Sequence, residues 1–320
     1  MAEPISKIAF IHTSDIDEKA SFDASRVQQR CFVAAERAKD ALKRPLAGYD
    51  ELQATQLADV IGSMQTTHCS ITVLLTECKG KPEIVDSLIL ARAQLEGLYN
   101  FCLMLESSEW TVAYLKDNWR KKYIEILLQK EEMKHLPRFA EFNTIIAPDL
   151  LQRGRQFCGV TDNEVATIEN EQLGTPYPTG RSKAPIPSFP TPGKGLKNIT
   201  DTNRRRMLER LHPEYQDLCS FTHGLPAANL LKGLLSTRSF HRKLFSESQA
   251  AEVEAKDVSE RAFIVSTLSI AQCCAELTQS YPGDLQLRAG TLEGWQELSV
   301  HSLLGKTIWE IRTRRLLGVL

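Results

Sequence analysis

Apolar positions recur at three-and-four spacing along almost the whole chain. That spacing lets one face of a helix pack on a core. Phe22 to Arg44 alternates small and apolar residues in this way and stops before Pro45. Tyr49 to Cys78 forms a second, longer pattern, ended by Gly80 and Pro82. Pro82 suits the first turn of a third helix, with Glu83 and Asp86 favourable near its N-terminus, and this helix runs to about Glu106. Ser107-Ser108-Glu109 can cap a fourth, Trp110 to His135, which carries Trp119, Tyr123 and Ile126 on one side and is broken by Pro137. Phe139 to Phe157 and Asp162 to Gln172 read as shorter helices. Ile8 to Ile11 could be extended, but no run shows the strict alternation and β-branched enrichment of a strand.

Gly174 to Gly195 breaks the pattern, with prolines at 176, 178, 185, 187, 190 and 192. Such a stretch excludes a central strand and regular helix. Helical periodicity resumes at Asp201, with Thr200 or Asp201 as the cap, and covers Asn203–Leu211, Glu214–Leu235, Asp257–Ser280 and Leu292–Leu317. The expected fold is all-α: a multi-helix bundle with a proline-rich insertion between two helical groups. Residues 1–172 form the first group, 173–199 the Pro/Gly-rich basic loop, and 200–320 a second group packing on the first as one domain. No repeat at a fixed period points to a solenoid.

Composition adds little to this picture. The chain has 320 residues, 25% charged and 42% hydrophobic, with a net charge of -1. That balance gives no global attraction to nucleic acid or an anionic membrane. The longest uncharged apolar helical run, Ala262 to Ala275, falls short of the roughly 20 residues that span a bilayer. Ile8 to His12 is too short for the core of a signal peptide. A cytoplasmic protein without membrane contact is therefore expected. The cysteines at 31, 69, 78, 102, 158, 219, 273 and 274 form no Cys-x2-Cys pair, and no Cys/His set has zinc spacing. Free thiols in a reducing compartment follow. His68 and Cys69 are adjacent and diverge on a helix, so neither a metal site nor a cofactor is expected.

Arg92 and Glu96 stand one turn apart on the strongly apolar third helix. Two ionised groups on a buried helix are costly unless paired. Either they lock the packing or they line a site for an anion, and Tyr99 continues the same face. A second cluster is Tyr215-Gln216-Asp217-Leu218-Cys219-Ser220-Phe221-Thr222-His223-Gly224. Tyr215 and His223 lie two turns apart, and Ser220 is three residues before His223. Gly224 and Pro226 would end the helix just after His223, where a protonated imidazole is favoured.

An Arg-x3-Glu on an apolar helix, a basic stretch, and then Tyr-x4-Ser-x2-His-Gly resembles a family of uncharacterised bacterial all-helical proteins. That family is loosely similar to the HEPN-type helical nucleases and toxins of defence systems. The resemblance covers about residues 60–235 and implies that Arg92, Glu96, Tyr215, Ser220 and His223 converge between central helices. It implies no established reaction. HEPN ribonucleases carry an Arg followed four to six residues later by His, and Arg206…His212 fits this formally. The pattern departs in two places: Met207 replaces the usual polar residue after Arg, and Pro213 follows His212.

From Arg181 to Arg210 the bases Arg181, Lys183, Lys194, Lys197, Arg204, Arg205, Arg206 and Arg210 face only Asp201 and Glu209, eight minus two or a net +6. With Phe189 to stack a base, this segment could hold single-stranded nucleic acid, or be a solvated loop. Pro187-Ser188-Phe189-Pro190 matches a PxxP pattern, although a proline-rich loop wrapping its own domain fits as well. The C-terminal helix, with Arg312, Arg314 and Arg315 beside Trp309 and Leu316, could dock on a dimer mate or pack back on its own domain.

Three readings result. The leading one is a helical protein, in a defence or stress module, whose buried polar cluster binds a small anionic ligand. There Arg92 is the anion contact, Glu96 orients it, and Tyr99, Tyr215, Ser220 and His223 complete the hydrogen bonding. The alternative is a metal-independent HEPN-like ribonuclease acting on RNA, with Arg206 stabilising phosphate charge and His212 or His223 transferring protons. The third is a helical scaffold that dimerises without catalysis.

Overall fold

The computed structural model describes residues 24–78, 82–133, 147–173, 186–223, 248–288 and 291. Within them the periodicity of the sequence becomes helix, and no strand occurs. The elements are α1 (Ala24–Ala41), α2 (Glu51–Glu77), a 3-10 turn (Pro82–Val85), α3 (Asp86–Met104), α4 (Ser108–Met133), α5 (Ala147–Phe157) and α6 (Asp162–Leu173). A single turn α7 (Pro192–Gly195) and a 3-10 turn (Leu196–Asn198) lead to α8 (Thr202–His223), and α9 spans Ser248–Ser280. No helix among the described residues is long and apolar enough to cross a membrane. The expected pieces at 8–11, 134–135, 139–146, 224–235 and 292–317 lie outside the described residues.

Local chemistry starts and stops these helices. Asp50 and Gln53 form a reciprocal capping box before α2: Gln53 N donates to Asp50 Oδ1 at 2.8 Å and Asp50 N to Gln53 Oε1 at 3.0 Å. Thr161 and Glu164 do the same for α6: Glu164 N donates to Thr161 Oγ1 at 3.3 Å and Thr161 N to Glu164 Oε2 at 2.7 Å. Asp201 caps α8 by accepting Arg204 N at 2.7 Å. After α5, Gly159 adopts φ +64° while Val160 N returns to Arg155 O at 3.1 Å, a turn that favours glycine.

Two expectations are corrected. α8 runs through Pro213 as one helix, where a break after Leu211 is expected from the sequence. Pro213 is exposed. Proline removes one intrahelical donor and crowds the preceding turn, and here flanking buried residues Leu208, Leu211, Tyr215 and Leu218 keep the same helical spacing on both sides. The last residues of the proline-rich stretch also form a helical turn, because Pro192 stands at its first position, where a missing N–H loses nothing.

The chain divides into two compact units that interleave along the sequence. The first comprises the described residues within Met1–Arg44, Val60–Leu98 and Arg210–Leu320; the second those within Pro45–Asp59 and Tyr99–Glu209.

In the first unit α1 packs along α9. Ala34, Ala35 and Ala38 are buried, and their small side chains permit close approach. α2 and α3 also approach closely: a Cβ on Gly97 would stand 2.9 Å from Met64 Cγ. Gln94 Nε2 donates to Met64 O at 2.5 Å, so a buried amide joins the two helices. α9 is buried from Ala262 to Thr278 apart from the half-buried Ile264, and several of its polar side chains are hydrogen-bonded there. Ser269 donates to Val265 O at 2.8 Å, Gln272 Nε2 to Glu276 Oε1 at 2.5 Å, and Ser266 Oγ meets His68 Nδ1 at 2.7 Å.

In the second unit Trp119 stacks on Tyr123 at 4.7 Å and shares a core with Val160, Ile168 and Ile186. Phe189 sits edge-on to Tyr114 (5.1 Å) and Trp110 (6.2 Å), and Arg120 Nη2 donates to Ser188 Oγ at 2.8 Å. The described part of the proline-rich loop therefore wraps its own unit. A buried ion pair joins Glu106 to Arg204, whose side chains are 5% and 10% exposed. Glu106 Oε2 also accepts Thr200 N at 2.8 Å, and Tyr49 donates to the adjoining Met104 O at 2.7 Å.

Candidate polar site on helix α3

Of the 19 residues of α3 only Ala93 is exposed, so most of its surface is buried. The pair on it is not: the Arg92 and Glu96 side chains are 22% and 41% exposed. The expectation of a buried pair at this position is thus corrected. Ile89, Arg92, Ala93, Glu96 and Asn100 form the more open lane of the helix, while Ser87, Gln94 and Tyr99 take the buried polar positions. A more deeply buried pair lies elsewhere, at Glu106 and Arg204.

Arg92 is held by α8 as well as by its own helix. Nη2 is 3.2 Å from Glu96 Oε2 and 3.4 Å from the Tyr215 hydroxyl, Nε donates to Cys219 Sγ at 3.4 Å, and the guanidinium carbon lies 5.6 Å from the Tyr215 ring centre. Tyr215 and Cys219 are one turn apart on α8, which is why one guanidinium reaches both. His212, one turn before Tyr215, lies nearly parallel to that ring with centres 6.1 Å apart, and Gln216 Nε2 sits 3.2 Å from its Nε2. All of these residues belong to the first unit.

Partial burial opposes the charge of Arg92, but donation to Cys219 and Tyr215 and the nearby Glu96 outweigh it and raise the guanidinium above its ordinary pKa. Burial raises the Tyr215 phenol, against the lowering effect of Arg92. Arg92 therefore stays a cation and Tyr215 a neutral hydroxyl across the physiological range. Arg92 Nη1 and Glu96 Oε1 make no hydrogen bond among the described residues.

The other anticipated residues lie apart from this cluster or are differently engaged. Tyr99 is buried and donates to Leu208 O at 2.6 Å. Ser220 is exposed and donates to Asp217 O at 2.6 Å. His223 ends α8, and its side chain lies outside the described residues. Arg206 is exposed and His212 half-buried. Of the basic segment, Lys194, Lys197 and Arg210 are exposed, Arg205 lies 3.9 Å from Glu209, and Arg204 is held by Glu106. Arg181 and Lys183 lie outside the described residues. Phe189, the candidate base-stacking ring, has edge contacts to Trp110 and Tyr114. No group of three or more His, Cys, Asp or Glu among the described residues could hold a metal ion.

Cys219 and His212 join the cluster without having been singled out as its members. The signal for Cys219 was available: it follows Tyr215 by four residues, so a partner of one reaches the other. No family model matches the chain, and neither a curated protein nor a solved structure matches it.

Proposed function

We propose that the first unit binds a small anionic ligand at Arg92. One observation carries this reading: Tyr215, Cys219 and Glu96 engage Nε and Nη2 of a partly exposed guanidinium, while Nη1 makes no hydrogen bond among the described residues. An arginine held in this way loses little side-chain freedom on binding, and its remaining donors suit a carboxylate or phosphate oxygen. The Tyr215 hydroxyl and the half-buried His212 lie on the adjoining turn of α8 as further polar contacts. The defence or stress setting rests on the family resemblance alone.

The scaffold reading draws on the same geometry, since an exposed i,i+4 pair that also touches a neighbouring helix adds a few tenths of a kcal/mol without any ligand. Thermal-shift titration separates the two. Ligand binding predicts a concentration-dependent rise in melting temperature that disappears in Arg92→Gln, with the unliganded melting temperature nearly unchanged. If Arg92→Gln lowers the unliganded melting temperature by several degrees and no anion-bearing compound stabilises wild type, the pair is structural.

A further inference from the structure

Glu96 constrains what the site can take. Its nearest approach to Arg92 is Nη2 to Oε2 at 3.2 Å, it is 41% exposed, and Oε1 makes no hydrogen bond among the described residues. A simple anion docking on Nη1 would lie only ångströms from this carboxylate. Near a protein surface such like-charge proximity weakens binding by roughly tenfold at low salt. A ligand carrying its own cation beside the anion turns that repulsion into attraction. Among the described residues the hydrogen bonds of the pair leave donors and acceptors for it: N–H groups of Nη1 on Arg92 and the lone pairs of Oε1 on Glu96. The local charge, one cation and one anion with Tyr215 neutral, is balanced in the same sense.

We propose that the site takes a zwitterionic ligand, with a carboxylate or phosphate on Arg92 and an ammonium on Glu96. This rests on the reading of Arg92 as the anion contact. The ligand class is that of free amino acids and amino-alkyl phosphates, which carry the two charges a few ångströms apart. Placed this way the ligand lies along α3 between residues 92 and 96. It need not displace Tyr215 or Cys219 from Arg92.

Two matched pairs of probes test the proposal by titration calorimetry at low ionic strength: acetate against glycine, and inorganic phosphate against phosphoethanolamine. Each pair shares an anion and differs in the ammonium. The expected result is that glycine and phosphoethanolamine bind more tightly than their partners, by about tenfold for one charge-assisted contact. Glu96→Gln, nearly isosteric and on an open lane of the helix, should erase that advantage. It should also strengthen binding of acetate and phosphate, because it removes the repulsion. If phosphate and acetate bind wild type as well as the zwitterions do, and Glu96→Gln leaves the ratio unchanged, the zwitterion proposal is overturned while the anion site stands. If none of the four binds, or if Arg92→Gln and Arg92→Lys bind them as wild type does, both readings fall.

Discussion

His68 makes the stability of the first unit depend on pH. It is 2% exposed, its Nδ1 lies 2.7 Å from Ser266 Oγ, its ring packs 5.6 Å from Phe263, and its Nε2 has no hydrogen-bond partner among the described residues. Burial lowers its pKa from 6.5 to about 4. A histidine depressed in this way is neutral when folded and takes up a proton on unfolding between those two values. Stability therefore falls as pH falls through that window, and the contribution is complete above about 6.5. Between pH 7.5 and pH 5 the loss is about 2 kcal/mol, from the linkage relation applied to the two pKa values. Urea denaturation of wild type and His68→Gln at both pH values isolates this term, because glutamine keeps a polar group at the site without a proton to gain. Wild type should lose about 2 kcal/mol more than the variant. Equal losses in the two proteins would refute the assignment of a desolvated imidazole.

Three other outcomes follow from the packing. Arg204→Met leaves the Glu106 carboxylate buried beside Thr200 without its cation, and should lower stability by about 3 kcal/mol in urea titration, with Arg204→Met/Glu106→Leu recovering much of it; a loss below about 1 kcal/mol, of the order seen for exposed pairs, would mean the pair is not desolvated. Gly97→Ala places a methyl against Met64 Cγ and should lower stability by about 1–3 kcal/mol, whereas Gly62→Ala, whose Cβ meets only Lys39 Cδ at 4.0 Å, should stabilise α2 by a few tenths of a kcal/mol to about 1 kcal/mol. RNA incubated with the protein at low salt without divalent metal should remain intact, and cleavage lost in His212→Ala would replace the ligand-binding account with a ribonuclease.

Much of the helical architecture is legible because apolar spacing is dense from Phe22 onward and Asp201 and Ser107 mark helix starts by their chemistry. Pro213 misleads because proline acts on one turn, whereas α8 keeps a continuous buried face across it. The Arg92–Glu96 pair is legible from its spacing but its depth is not, and the Glu106–Arg204 pair is not legible at all. Arg92 and Glu96 share a lane with the apolar Ile89, which hides its openness in the sequence, while Glu106 meets Arg204 98 residues away, a contact no local spacing encodes. Gln94 is similar: its buried role depends on the Met64 carbonyl of another helix.

The most direct measurement is titration calorimetry of wild type and Arg92→Gln with phosphoethanolamine at low ionic strength, paired with the melting temperature of each unliganded protein. A saturable heat in wild type that vanishes in Arg92→Gln, with closely matched melting temperatures, is the expected result. Identical heats in the two proteins, or no heat in wild type, would contradict a ligand site at Arg92.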